Sequence, residues 1–195
     1  MFLKEKVEID TRKLYYGFPV VLLGYKDDKF KYNSTTTSSS YTLGNTITVG
    51  IKADSCAARY ISKYKEFTVN VPCENLMSEI EICGFFSGHN KLQQSDMPYT
   101  LGKYVDAPLI DDCFLSLECK VVNIIENEGY INIIGEIKRR IADKYLVSED
   151  GKVFYSENMK TIHFSGCSSK RVYRYLSDEV GELGVFVEGG TNNCG

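Results

Sequence analysis

Residues 116–126 and 129–142 are two long runs rich in β-forming side chains, joined only by Asn127-Glu128 with Gly129 immediately behind. A connection that short cannot carry a parallel crossover, so the two runs pair as a tight antiparallel hairpin. Such a ribbon commits the chain to antiparallel sheet, and the remaining segments agree with it. Strand-like runs recur at 18–25, 28–35, 45–52, 67–72 and 160–165. FPVVLLGY (18–25) is an apolar β-rich run, and NTITVGI (45–51) alternates as a half-buried strand does. Ser148-Glu149-Asp150-Gly151 marks another turn, between 145–147 and 152–155.

Helical signals are few. DSCAARYISKYKEF (54–67) places Ala57, Ala58, Ile61 and Tyr64 on one face, with Asp54 or Ser55 as N-cap. NLMSEIEICG (75–84) groups Leu76, Met77, Ile80 and Cys83 and stops at Gly84. SSKRVYRYLSDEVG (168–181) opens on a serine and carries Val172, Leu176 and Val180 at four-residue spacing, which predicts a third helix. Mostly antiparallel strands with a few short helices predict a mainly β fold. The expectation is a small barrel with helices over its openings, residues 1–195 forming one domain.

Of 195 residues, 43% are hydrophobic and 25% charged, with only 4 prolines, the make-up of a globular chain with a continuous core. The net charge is −3 and no block of like charge forms a basic stripe, which argues against nucleic acid or an anionic membrane as partner. MFLKEKVEID has no apolar signal-like stretch, and no apolar run approaches the ~20 residues of a membrane span. The 7 cysteines (56, 73, 83, 113, 119, 167 and 194) are odd in number, include no CxxC pair and are accompanied by only 2 histidines. That is neither a disulfide framework nor a zinc site. It predicts reduced thiols, most of them small core residues, in a cytoplasmic protein.

NSTTTSSS (33–40) sets seven hydroxylated residues in a row behind an asparagine. A disordered linker, a strand running into a loop and a row of donors for a polar ligand are the competing readings. Strands on both sides weaken the first. The row therefore belongs inside the fold, where it either solvates a strand edge or holds something.

Other candidates for chemistry are sparse. His89 lies in the loop SGHNK and His163 in the strand-like TIHFS, neither with an Asp, Cys or Ser spaced for a triad or metal site. They read as a surface imidazole and a half-buried one. Ser55, as the cap of a helix, leaves unpaired N–H groups at the positive end of the helix dipole, a ready phosphate site to which Arg59 can add a bidentate contact. An ordinary capped helix is the plainer reading of the same residues. In CGFFSGHNKL (83–92), Gly84 and Gly88 allow a tight loop, Phe85 and Phe86 can pack on a flat ring, and Lys91 can face an anionic edge. A helix end followed by a surface loop is the alternative.

In order, PVVLLGY, Asn33 with its hydroxyls, TITVGI, the capped helix, EFTVNVP (66–72), CGFFSG with Lys91-Leu92, APLI (107–110), LEC (117–119) and IGEI (134–137) form a pattern. That pattern resembles the flavin-reductase-like, flavoredoxin-type FMN-binding family over roughly residues 15 to 140 and, more loosely, over the expected C-terminal helix. The resemblance implies a split β-barrel, mostly antiparallel and Greek-key-like, and a homodimer holding noncovalent FMN in a cleft at its interface. It implies that Asn33, Thr35, Thr36, Thr37, Ser38, Ser39 and Ser40 run along the ring and ribityl chain. Ser55, Cys56, Ala57 and Arg59 would hold the phosphate, Asn70 would lie beneath the cleft, and Lys91 would stand near the ring. The implied activity is an oxidoreductase in which a reduced nicotinamide delivers hydride to the flavin. An FMN-binding electron carrier fed by a redox protein is the alternative. Neither needs a side chain acting as acid or base. The chain departs from the family pattern in having no tryptophan, in Gly44-Asn45 where two prolines are frequent, and in Ser55-Cys56-Ala57 at the helix start.

Overall fold

The computed structural model describes residues 6–179. Its elements, in chain order, are β1 Leu14–Pro19, β2 Val21–Asp27, β3 Lys31–Thr37, β4 Ser39–Leu43, β5 Thr46–Lys52, α1 Cys56–Tyr64, β6 Glu66–Val71, α2 Met77–Phe85, α3 Lys91–Gln94, β7 Tyr99–Leu101, β8 Pro108–Ile110, β9 Leu115–Asn127, β10 Tyr130–Ala142, β11 Ile162–Cys167 and β12 Arg171–Tyr175. Every strand pair is antiparallel. The hairpin expected from the sequence is β9–β10, paired from Tyr130↔Asn127 to Ala142↔Leu115. Its loop is Glu128-Gly129, one residue later than the sequence suggests. Both take positive φ, 48° and 77°, the hand that matches the twist of the flanking strands.

The main sheet has seven strands in the order β3-β2-β6-β9-β10-β5-β4. Its two edges, β3 and β4, are consecutive in the chain and separated by Ser38 alone. A one-residue link holds the two edges together, so the sheet curls into a barrel split along that seam. The hydroxyl row is the seam itself. Thr37 Oγ1 donates across it to the Gly50 carbonyl of β5 at 2.8 Å.

β2 reads as an unbroken apolar run because both of its faces are covered. Leu23 and Tyr25 join the barrel core with Phe67, Val69 and Ile133, and Ala57, Ala58 and Ile61 of α1 pack into the same cluster. Val20 and Leu22 lie in a second cluster with Ile80 and Cys83 of α2, Leu92 of α3 and Ile162 of β11. Gly24, in the middle of β2, sits where a Cβ would run into the Pro108 carbonyl and Thr68 Oγ1, so β8 can cross there only over a glycine.

Three expectations need correction. The run 18–25 breaks at Val20, whose N–H bonds to the Ile162 carbonyl, so that β1 leaves the barrel for a separate sheet ordered β1-β11-β12. The strand placed at 28–35 begins only at Lys31, because the Asp27 carboxylate accepts the Lys29 and Phe30 N–H groups and turns the chain there. The helix expected at 168–181 is β12 across residues 171–175, paired with β11 through Ile162↔Tyr175 and Phe164↔Tyr173. A four-residue spacing is an even number, so Val172 and Leu176 satisfy a two-residue period as well as a helical one. With β11 offering an open edge and Val172, Tyr173 and Tyr175 favouring strands, the sheet wins. Val180 lies outside the described residues.

Among the described residues no helix is long and apolar enough to cross a membrane. The six cysteines in that range are all free, with Cys83, Cys113 and Cys119 buried and Cys56, Cys73 and Cys167 partly exposed. Cys194 lies outside it.

Candidate functional site

A cleft with two lobes opens beside the seam. The first lobe, about 450 Å³, lies between the start of α1 and the loop after α2. β5 ends at Lys52, and Ser55 caps α1: its Oγ accepts the Ala58 N–H at 3.1 Å and donates to the Lys52 carbonyl at 2.8 Å. The N–H groups of Cys56 and Ala57 have no carbonyl one turn back to bond, and both residues line the lobe. Arg59, exposed at the same end, holds its guanidinium 4.8 Å from the Tyr60 ring centre and donates to Cys56 Sγ at 3.7 Å. Lys29 and Lys52 add two more cations to the lining, against the carboxylates of Asp27 and Asp54.

The floor of this lobe is a mostly satisfied polar network. Asn33 uses all four of its hydrogen-bonding positions: Nδ2 donates to Asp27 Oδ2 at 3.2 Å and to the His89 carbonyl at 2.9 Å, while Oδ1 accepts the N–H groups of Ser34 at 2.9 Å and Lys91 at 3.1 Å. It therefore clips the 86–91 loop to β3. Lys91 is only 6% exposed, and its Nζ donates to the Cys83 carbonyl at 3.0 Å. Burial holds its ammonium below the ordinary lysine value, although the nearby Cys83 and Cys56 thiols and Asp27 pull the other way. Two buried hydroxyls in the floor have no hydrogen-bond partner among the described residues: that of Ser34, beside Asn33, and that of Tyr25, a residue lining the lobe.

The second lobe, about 660 Å³, runs along the seam. One side carries Thr35 to Ser39, and the other carries Tyr15, Phe164 and Tyr173 of the small sheet. Thr35, Lys52, Ser55, Gly84 and Phe85 line both lobes, so the two form one groove. Phe85, at 74% exposure, stands where they meet.

Most residues expected at a site do converge on this groove: Asn33, Thr35, Ser55, Cys56, Ala57, Arg59 and Lys91 line the first lobe, and Thr35 to Ser39 the second. Two do not. Ser40 pairs with Val49 in β4 and lies outside the lining. Asn70 is fully buried and donates to the Leu22 carbonyl and Thr68 Oγ1 while accepting from Ile110 N and Ser116 Oγ, which makes it a brace between β2, β8 and β9. The threonines of the row are also less free than their exposure suggests. Thr35 Oγ1 donates to the Cys83 carbonyl at 3.4 Å and Thr36 Oγ1 to the Ile80 carbonyl at 2.6 Å, fastening β3 to α2. His163 bridges Thr161 and the Gly17 carbonyl, and His89 bonds the Ser87 carbonyl; neither lines the groove. Sequence reasoning missed Lys52, Tyr130 and Arg171. The first two are direct cross-strand partners in β5 and β10, a pairing visible only once the register is known.

The flavin reductase-like domain model matches residues 15–163. The chain belongs to the flavin reductase-like domain family. Among solved structures, flavoredoxin of Desulfovibrio vulgaris (Miyazaki F) is similar with a TM-score of 0.81 at 21% identity, covering 92% of this chain and 97% of that one. Flavoredoxin from Methanosarcina acetivorans gives 0.81 at 23% identity, covering 92% and 96%. At such identities the likeness is one of fold, the split barrel. An uncharacterized protein of Archaeoglobus fulgidus is 33% identical over 79 residues, 40% of this chain and 45% of that one. The match thus spans under half the length of that curated relative.

The groove of this flavin reductase-like domain offers donors of the kind a flavin nucleotide uses. Free helix N–H groups with Arg59 suit a phosphate. Seam hydroxyls suit a polyol chain, and the exposed faces of Phe85 and Phe86 suit a flat ring. The unpartnered Tyr25 hydroxyl provides a further donor at the floor. Both lobes fall within the ~300–1,000 Å³ typical of small-molecule sites.

Proposed function

We propose that the groove binds FMN noncovalently and that the protein is an oxidoreductase passing electrons from a reduced nicotinamide through the flavin to an acceptor. The arrangement at the mouth of the first lobe carries this reading. A helix start with free N–H groups and an exposed arginine, in no ion pair among the described residues, adjoins an aromatic loop, and the hydroxyl seam leads away from both. When bound, the flavin supplies the electron- and hydride-accepting chemistry. The chain supplies the rest. Cys56, Ala57 and Arg59 hold the phosphate, Phe85 and Phe86 flank the ring, and Asn33 with Lys91 keeps the loop in position. The electron transfer needs no side chain acting as acid or base.

The working unit in this reading is a homodimer. Tyr41 and Leu43, 64% and 76% exposed on the edge strand β4, give a second copy apolar surface to cover, and a second copy would shield the ring from water. Sedimentation should show a dimer, and a monomer that still binds FMN tightly would remove this part.

The test of the whole is spectral. Purified protein should show a flavin absorbance spectrum, and heat or acid should release FMN at about one per chain. Anaerobic mixing with NADH or NADPH should bleach that absorbance. A protein that fails to take up added FMN sinks the proposal. Bleaching only by a reduced redox protein would make it an electron carrier, a role consistent with the exposed Phe85 and with the likeness to flavoredoxins.

A further inference from the structure

The second lobe has one feature that flavin binding does not use. Lys52 and Tyr130 are directly opposed across β5 and β10, and Lys13 Nζ lies 5.7 Å from the centre of the Tyr130 ring. Arg171 lines the same lobe. Its Nε donates to the Cys167 carbonyl at 3.3 Å, which leaves the terminal nitrogens of the fork available. None of these three cations forms an ion pair among the described residues, whereas seven other lysines and arginines do. All three act on one phenol: Lys13 first, then Lys52 and Arg171, hold Tyr130 below the ordinary tyrosine value. Glu81 is the carboxylate in the lining, and the group it acts on is Tyr173. One end of the lobe therefore gathers three cations, none of them in an ion pair among the described residues.

Next to these cations is an aromatic wall. Phe164 and Tyr173 are opposed across β11 and β12 with ring centres 5.7 Å apart, and Tyr15 meets Phe164 at 5.0 Å. Tyr15 is opposed to Gly166, which is opposed to Arg171. Opposed residues share a face of the sheet, as do alternate residues along a strand, so Phe164, Tyr173 and Arg171 face the same way. A flat ring can lie on the wall with its charged substituent toward the cations.

We infer that the second lobe is a subsite for a planar aromatic ring bearing an oxyanion, a carboxylate or a phosphate ester, placed by the Tyr15–Phe164–Tyr173 wall and the Lys13–Lys52–Arg171 cluster. In its role as the molecule that exchanges electrons with the flavin, this ligand rests on the proposed function; in its binding it does not. The subsite therefore favours acidic aromatic substrates over neutral ones.

The test uses the full chain, with and without added FMN, and reads dissociation constants by calorimetry for benzoate, phenyl phosphate, benzyl alcohol, acetate and inorganic phosphate. Benzoate or phenyl phosphate should bind about tenfold or more tightly than benzyl alcohol or either bare anion. The tighter of the two names the anion. Arg171→Gln and Lys13→Gln should each weaken that probe by roughly fivefold, and Arg171→Lys should recover part of the loss. Because Arg171 also bonds the β11–β12 turn, melting curves accompany each variant; Lys13→Gln makes no such contact and decides the matter if Arg171→Gln unfolds. Benzyl alcohol binding as well as benzoate, or folded variants with unchanged affinity, would overturn the inference. Failure to bind FMN while benzoate still binds would instead remove the proposed function and leave the subsite standing.

Discussion

The two lobes of the groove contain similar residue types used in opposite ways. In the first, most polar groups of the floor are buried and already bonded: Asn33 spends all four of its positions on Asp27, Ser34, His89 and Lys91. In the second, Lys13, Lys52 and Arg171 stand around Tyr130, none of them in an ion pair among the described residues. Buried polar groups must be satisfied internally, so they build the shape of a site and have little left to offer a ligand. Groups that water can satisfy remain free to exchange water for a ligand. A residue's type names its chemistry, and its burial says which of these two tasks it performs.

The sharpest contrast is between thiols. Cys83 lines the first lobe but is 1% exposed, and burial raises its pKa. Cys167 sits in the turn before Arg171, where the Ser169 hydroxyl and then the N–H groups of Lys170 and Ser169 lower its pKa to about 7. A lowered pKa means the thiolate is present above that pH and is lost as pH falls below it. Iodoacetamide should therefore label Cys167 with a midpoint near pH 7, and at neutral pH at least about a hundredfold faster than Cys83. Equal labelling in the native state would show that the floor opens readily and is not a fixed frame.

Among substitutions, the satisfied asparagines should cost the most. Asn70→Ala deletes four bonds and strands the Ile110 N–H and Ser116 hydroxyl in the core, a loss of about 3 kcal/mol in denaturant unfolding. Asn33→Ala should come close to it. A loss under ~0.5 kcal/mol, the size expected at an open surface, would mean that water reaches these sites. Arg59→Ala should do the reverse, leaving stability within that margin. It should weaken FMN by ~1.5–3 kcal/mol, roughly tenfold or more in affinity, and riboflavin hardly at all, since riboflavin lacks the phosphate. Equal losses for both ligands would place Arg59 in the frame.

Thr36 tests which side of the division the hydroxyl row falls on. Its bond to the Ile80 carbonyl predicts that Thr36→Val lowers the stability of the flavin-free protein by about 1 kcal/mol. No change would return the threonine to the pool of free donors.

What the sequence could and could not show follows from range. The β9–β10 ribbon was legible because two-residue turns and alternation are local signals. The barrel was legible from the number of such signals, and the place of the hydroxyl row inside the fold from its flanking strands. The partners of that row were not, because Ile80, Cys83 and Gly50 reach it only through the packing of α2 and the closure of the seam. Asn70 is the same case, since its four partners come from distant segments and no local pattern separates a brace from a binding residue. The error at 168–181 was local: an even spacing fits both periods, and only the open edge of β11 decides between them. Lys52, Tyr130 and Arg171 became a cluster only through strand register.

The smallest effect belongs to Ser38, the residue between the two edges of the barrel. Its neighbour Thr37 bonds the Gly50 carbonyl, and Thr36 bonds Ile80, but the Ser38 hydroxyl bonds no group among the described residues while its residue lines the second lobe. With no partner to lose, Ser38→Ala should change stability by less than ~0.5 kcal/mol, about half the effect of Thr36→Val or less. Toward bound FMN the order should reverse. A hydroxyl that donates to the ring strengthens its bond as negative charge accumulates on reduction, so its removal lowers the reduction potential. For a bond worth ~1 kcal/mol more in the reduced state, the two-electron shift is on the order of 20 mV. Thr36, its proton committed to Ile80, should give a smaller shift than Ser38 despite its larger effect on folding. Melting curves without flavin beside potentials with it would separate the two positions. If Ser38→Ala destabilises the protein as much as Thr36→Val and leaves the potential unchanged, the whole row serves only to close the seam.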